Sequence, residues 1–182
     1  MKLRSIAVAV VMTAGQAEAQ NHASAARDAC LYAYDSYRAG APRFEDFPAT
    51  VSTTEPRSPR FVGHDARSFR TVILEGSAKG VNFAGHYTIV HWGCGSSCWD
   101  WAMVDRATGK VIFDDGLRDI ATDHVRDGYA LRFRRNSNLL VLQGRPNEDE
   151  NDEKRDGIAF LRWTGRSFVQ LKFTPAPTAC QG

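Results

Sequence analysis

The chain of 182 residues carries 43% hydrophobic and 24% charged side chains and a formal net charge of +2, which excludes a disordered, fibrous or collagen-like polypeptide. So small a charge gives no global reason to seek nucleic acid or an anionic membrane, and the Arg132, Arg134, Arg135 cluster reads as a solvated strand face. No cofactor motif stands out, since no glycine-rich phosphate loop follows a strand and no metal-ligand set is complete.

The chain opens with Lys2 and Arg4, continues through apolar Ile6 to Met12, and reaches Ala17 and Ala19 in the minus-three and minus-one positions of a cleavage site. This pattern predicts a signal peptide over residues 1–19, followed by a single globular domain over 20–182. The apolar run falls far short of the roughly twenty residues that cross a bilayer, and no cysteine follows the cleavage site to carry a lipid, so no membrane anchor is expected. The expected location is the periplasm or the medium.

Residues 24–38 are rich in alanine, with Ala26, Ala29, Cys30, Ala33 and Tyr37 on one stripe, and predict an N-terminal helix. Gly40 to Pro59 holds four prolines and reads as an extended surface linker. A second helix is expected from an Asp65 cap, with Ala66, Phe69, Val72, Ile73 and Gly76 on one face and Gly80 as its left-handed stop.

The period then changes to two. Phe83 to Trp92 and Trp99 to Asp105 read as strands, and Lys110 to Phe113 returns after an Arg106-Ala-Thr-Gly109 turn. Tyr129–Arg134 with Leu139–Gln143, and Ile158–Trp163 with Ser167–Phe173, predict two further hairpins. The expected class is α+β: two N-terminal helices packed on an antiparallel β-meander of six to seven strands. The chain is too short for a propeller of four-stranded blades. The acidic stretch Asn147 to Asp156 lacks the glycine and terminal glutamate of a calcium loop, and reads as a solvated loop.

Four cysteines permit three pairings. Cys94 with Cys98 is favoured, because a Gly-rich turn can bring their α-carbons within the roughly 4.4–6.8 Å that a disulfide needs. Cys30 is then left for Cys180. That bridge would close a loop of roughly 150 residues, for which chain entropy gives about 4–5 kcal/mol.

The stretch Asn82 to Trp101 concentrates two histidines, two cysteines and three tryptophans within twenty residues. Asn82-Phe-Ala-Gly-His-Tyr87, Trp92-Gly-Cys-Gly-Ser-Ser-Cys98 and Val104-Asp-Arg-Ala-Thr-Gly-Lys110 together resemble a family of uncharacterised exported bacterial proteins. The likeness covers residues 65–143. It implies export and continuity of the fold, and assigns no catalytic residue.

Four chemistries compete for this stretch. A metal site would draw on His86, His91, Cys94 and Cys98, but strand alternation sends His86 and His91 to opposite faces, and an oxidising compartment favours the disulfide. Thiol catalysis is suggested by the likeness of Cys94-Gly-Ser-Ser-Cys98-Trp99 to the papain box; an extra serine, a strand where a helix should begin, and only His124 downstream as a base all oppose it. Redox exchange would need a pair with three intervening residues and no βαβ unit around it. Binding through the aromatics fits best. Trp92, Trp99 and Trp101 flank the turn, Trp99 and Trp101 share a strand face, and a disulfide would hold both still; the plainer reading makes these rings core, with His86 hydrogen-bonded inside the sheet on a central strand.

No nucleophile, base and orienting acid are recognisably spaced. The sequence therefore predicts an exported, non-enzymatic binding module, with His86, Tyr87, His91, Trp92, Trp99 and Trp101 as candidate contacts and an envelope protein, an enzyme or a glycan as partner. The alternative is a thiol-redox or metal-binding protein using Cys94 and Cys98 with His86 or His91.

Overall fold

A computed structural model describes residues 30–148 and 153–177, together with Gly15. Its strands are β1 (Tyr87–Gly95), β2 (Cys98–Asp105), β3 (Val111–Ile112), β4 (Ile120–Ala121), β5 (Leu131–Phe133), β6 (Leu139–Gly144), β7 (Gly157–Trp163) and β8 (Phe168–Pro175). Two short helices, α1 (His64–Ser68) and α2 (Arg70–Ala78), precede the strands. No helix among the described residues is long and apolar enough to cross a membrane.

The α+β class holds, but the strands form two four-stranded antiparallel sheets rather than one meander. In the first, β2 is central and pairs with β1, β3 and β4; the second runs β5-β6-β7-β8. Apolar side chains on both faces of each sheet explain the division, because each sheet then needs a cover on each side. Tyr87, Ile89, Trp101 and Met103 of the first sheet meet Leu140, Leu142, Leu161 and Trp163 of the second in the main core. The far face of the first sheet, with Ala102 and Val104, is covered by Ile73 of α2. The far face of the second, with Leu139, Val141, Ile158 and Phe160, is covered by Tyr32 and Phe44 from the N-terminal segment.

The three hairpins expected from the period of two all form, with β3 and β5 shorter than expected and β4 additional. The strand expected from Phe83 begins only at Tyr87, because Ala84 and Gly85 take positive φ and turn the chain. His86 therefore lies in that turn and not on a central strand.

The helices depart further. Residues 24–29 of the expected first helix lie outside the described residues. From Tyr32 onward the chain is extended and then forms a 3₁₀ turn at Tyr34–Tyr37. Tyr32 is buried against the second sheet with Tyr34 and Tyr37 packed partly buried beside it, and the Tyr32 amide and carbonyl are bonded to His124 and Arg126 at 2.8 Å each. The second helix breaks at Phe69 into α1 and α2, and Gly63 rather than Asp65 stands at its cap. Asp65 instead meets Arg118 at 2.6 Å. Gly80 supplies the expected stop at φ +95°. Gly76 lets α2 lie against β1, since a Cβ there would stand 2.4 Å from a methyl of Val90. The Gly40–Pro59 segment is a strap rather than a free linker: Phe44 is buried and Pro48 bridges to Ser137. Residues 149–152 of the acidic stretch are outside the described residues, and Asp156 at its end is buried rather than solvated.

One charge cluster ties α1 to the first sheet. Asp100, 1% exposed on the helix-facing side of β2, receives Arg118 through Nε (3.1 Å) and Nη2 (2.6 Å). The same guanidinium reaches Asp65 and lies 4.7 Å from the Phe113 ring centroid. Hydrogen bonding to Asp100 holds this guanidinium's pKa further above its ordinary range. Removing one partner of a buried pair leaves the other charge uncompensated. Asp100→Ala is expected to cost about 3–5 kcal/mol in chemical denaturation, with exposed Asp35→Ala changing stability by less than about 1 kcal/mol.

Candidate functional site

The β1–β2 hairpin ends in a turn at Gly95–Cys98, across which Cys94 and Cys98 are disulfide-bonded with α-carbons 5.1 Å apart. This is the favoured pairing. Cys180 lies outside the described residues, as therefore does the Cys30–Cys180 pairing. A second clamp holds the turn, since the amide and hydroxyl of Thr122 both donate to the Ser97 carbonyl, at 2.7 and 3.0 Å.

Alternation along the hairpin sorts the aromatic residues. His91, Trp99 and Trp101 point to the side of the second sheet; Trp92 points to the helices. Trp101 lies opposite His91 in the register, is 2% exposed, and donates its indole N–H to the Leu117 carbonyl at 2.6 Å. It belongs to the core. Trp92 stacks on Phe69 with centroids 4.6 Å apart, and Tyr87 is buried edge-on against Trp163 at 5.5 Å. Burial pushes the Tyr87 phenol up from its ordinary pKa.

His91 and Trp99 remain at the surface, with ring centroids 5.2 Å apart. They form one wall of a cleft of about 100 Å³ whose other wall is Tyr129, Ala130, Leu131 and Phe133, around the start of β5. Tyr129 is 54% exposed. Nothing in the local pattern at Tyr129–Phe133 marks it as a partner of residues thirty positions earlier; only the facing of the two sheets makes it so.

His86 sits at the opposite end of the hairpin, its Nε2 3.7 Å from Asp105 and its ring against Tyr87. Seven residue steps of strand, roughly 23 Å, separate Tyr87 from Cys94. His86 and the cysteines are therefore not brought together. The group that does approach the sulfurs is Asp119, whose carboxylate and both Sγ atoms lie within 4.8 Å of one another. A carboxylate there repels a departing thiolate, which favours the closed disulfide. Sequence spacing gave no sign of Asp119, nor of the network in which Asp156 accepts from Tyr32 Oη at 2.5 Å and meets His124 Nδ1 at 2.7 Å.

No protein-family model, curated protein or solved structure matches the chain.

Partial burial against Trp99, reinforced by the Lys79 charge, holds the His91 imidazole below its ordinary pKa. The unfolded chain then takes up a proton at higher pH than the native one, so stability falls as pH drops through the ordinary imidazole range near 6.5. Thermal melts between pH 7.5 and 5 are expected to show a smaller acid-side decline in His91→Gln than in the wild type. Replacing Cys94 and Cys98 by serine opens a four-residue separation, for which the chain-entropy relation gives about 2 kcal/mol of lost stability. Chemistry carried by the pair would instead leave stability near that of the wild type.

Proposed function

We propose that the chain is exported, with residues 1–19 removed as a leader, and acts in the periplasm or medium as a non-enzymatic binding module. The observation that carries this reading is the cleft between His91 and Trp99 on one side and Tyr129 on the other. Tryptophan and tyrosine give large contact area with few rotatable bonds, which suits them to anchor a partner. The disulfide and the Thr122 clamp fix the turn next to Trp99, so little freedom is lost on binding. A disulfide at an exposed turn also fits an oxidising compartment. The partner is an envelope protein, an enzyme or a glycan that presents one compact apolar or ring-shaped group to the cleft.

A second reading, thiol or metal chemistry at the same turn, draws on the Asp119 carboxylate beside Cys94 and Cys98. On reduction the two thiolates and this carboxylate would offer three ligands to a zinc-like ion, without either histidine of the hairpin.

The two readings separate by variant. With immobilised protein presented to glycans and to envelope proteins of an exporting bacterium, Trp99→Ala is expected to weaken capture at least tenfold while the far-ultraviolet spectrum is unchanged. Trp101→Ala is expected to cost about 3–5 kcal/mol of stability, as a core truncation does. Unchanged capture by a folded Trp99→Ala protein overturns the binding reading. Loss of capture or of bound zinc in Cys94→Ser alone, with Trp99→Ala intact, would move the site to the thiols.

A further inference from the structure

The cleft at Trp99 opens onto an unpaired sheet edge. β5 is the outermost strand of its sheet, bonded only to β6. The Gln143 amide donates to the Ala130 carbonyl at 2.7 Å, and the register sets Leu131 opposite Leu142. In an antiparallel ladder, successive residues alternate between facing the neighbouring strand and facing away. Ala130 and Arg132 therefore face β6, and the N–H and C=O groups of Leu131 and Phe133 face outward. Among the described residues, none hydrogen-bonds to these four groups. A row of free backbone donors and acceptors is a template for another strand.

Two clefts of different chemistry meet along this edge, and Leu131 and Phe133 line both. The inner one is the aromatic cleft of about 100 Å³. The outer one, about 350 Å³, is walled by Tyr34, Asp35, Arg38, Phe44, Arg132 and Arg134. The alternation of β5 produces the contrast, since Leu131 and Phe133 pack toward the main core while Arg132 and Arg134 turn the other way. The outer wall thus presents three guanidinium groups, each paired with one carboxylate at or beside the cleft. Arg134 lies 4.6 Å from the Phe44 centroid and Arg38 5.7 Å from that of Tyr34, so the rings hold two of these cations in place. Their exposed ion pairs with Asp35, Asp127 and Glu45 are of a kind that an incoming carboxylate can replace.

We propose that β5 receives an extended peptide segment of a partner protein by strand addition. Its backbone bonds to Leu131 and Phe133, one apolar side chain enters the His91–Trp99–Tyr129 cleft, and its alternate, acidic side chains meet Arg38, Arg132 and Arg134. This rests on the binding-module reading and narrows the partner to a polypeptide whose sequence alternates apolar and acidic residues. Strand addition draws affinity from main-chain bonds and specificity from pockets for alternate side chains, and both are in place here.

The test titrates the intact, oxidised protein with a capped hexapeptide alternating glutamate with valine or phenylalanine, read by calorimetry and by amide chemical shifts of Leu131 and Phe133. Saturable one-to-one binding is expected, with those two amides shifted. Methylating the peptide nitrogens that face β5 should weaken it at least tenfold, as should arranging the same residues in blocks. Arg132→Glu with Arg134→Glu should reverse the preference toward a lysine-containing peptide. Equal binding of the methylated peptide overturns strand addition and leaves capture by the cleft standing, and so does binding of a glycan alone. Concentration-dependent dimerisation that the peptide does not displace assigns the edge to a second copy and overturns the proposal. If Trp99-dependent binding of every ligand is absent, the binding-module reading falls with it.

Discussion

Arg118 is the tie on which the arrangement of the candidate site depends. A buried aspartate on a central strand is costly unless its charge is met, and Asp100 is met by two nitrogens of one guanidinium. To reach it, Arg118 must lie across the helix-facing side of the first sheet, where it also gathers Asp65 of α1 and the Phe113 ring. Its chain neighbours are thereby placed. Leu117 accepts the indole N–H of Trp101, Asp119 comes beside the disulfide, and Ile120 and Ala121 pair with Trp99 and Cys98 as β4. A single ion pair thus sets the far edge of the hairpin tip, and through it the position of Trp99.

The hairpin itself divides its work by parity. On the helix-facing side Trp92 and Val104 close a small core against Phe69 and α2. On the other side Tyr87, Ile89, Trp101 and Met103 enter the main core, and the same alternation carried two residues further reaches its margin, where Trp99 is half-buried against the core and His91 is exposed. The pair of exposed His91 and half-buried Trp99 is therefore a continuation of a buried stripe. A structural stripe and a binding wall cost the same sequence pattern, and only the width of the facing sheet separates them. That sheet narrows here because β5 has only three residues.

This explains how much of the molecule could be read in advance. The hairpins from Lys110 to Phe173 follow from alternation and turn chemistry, which act within a few residues, and so does the Cys94–Cys98 pairing. The division into two sheets was hidden, because Leu139–Leu142 and Ile158–Leu161 are apolar on both faces, and such a run reads equally as one buried strand in any sheet. From Tyr32 onward the chain departs from the expected first helix, because the burial of Tyr32 against the second sheet outweighs local propensity. In the site, His91 and Trp99 were legible as chemistry-dense residues. Trp101 looked identical in sequence, and its burial depends on Leu117 and the second sheet. Tyr129, Asp119 and the Asp156 network have no local signature at all; they come into place by long-range packing.

Such a seam between sheets also constrains what the cleft can accept. Its inner wall is rigid, fixed by a disulfide, by Thr122 and by the Arg118 tie. Its outer wall belongs to a three-residue edge strand whose backbone is open on one side. A ligand that used the aromatic wall alone would leave the adjoining backbone groups to water, and would gain nothing from the arginines beyond. A strand laid along the edge uses all three at once, with the same period of two that built both walls. The alternation that places Trp99 beside His91 on β2 places it, in the folded chain, across one small cleft from the open edge of β5.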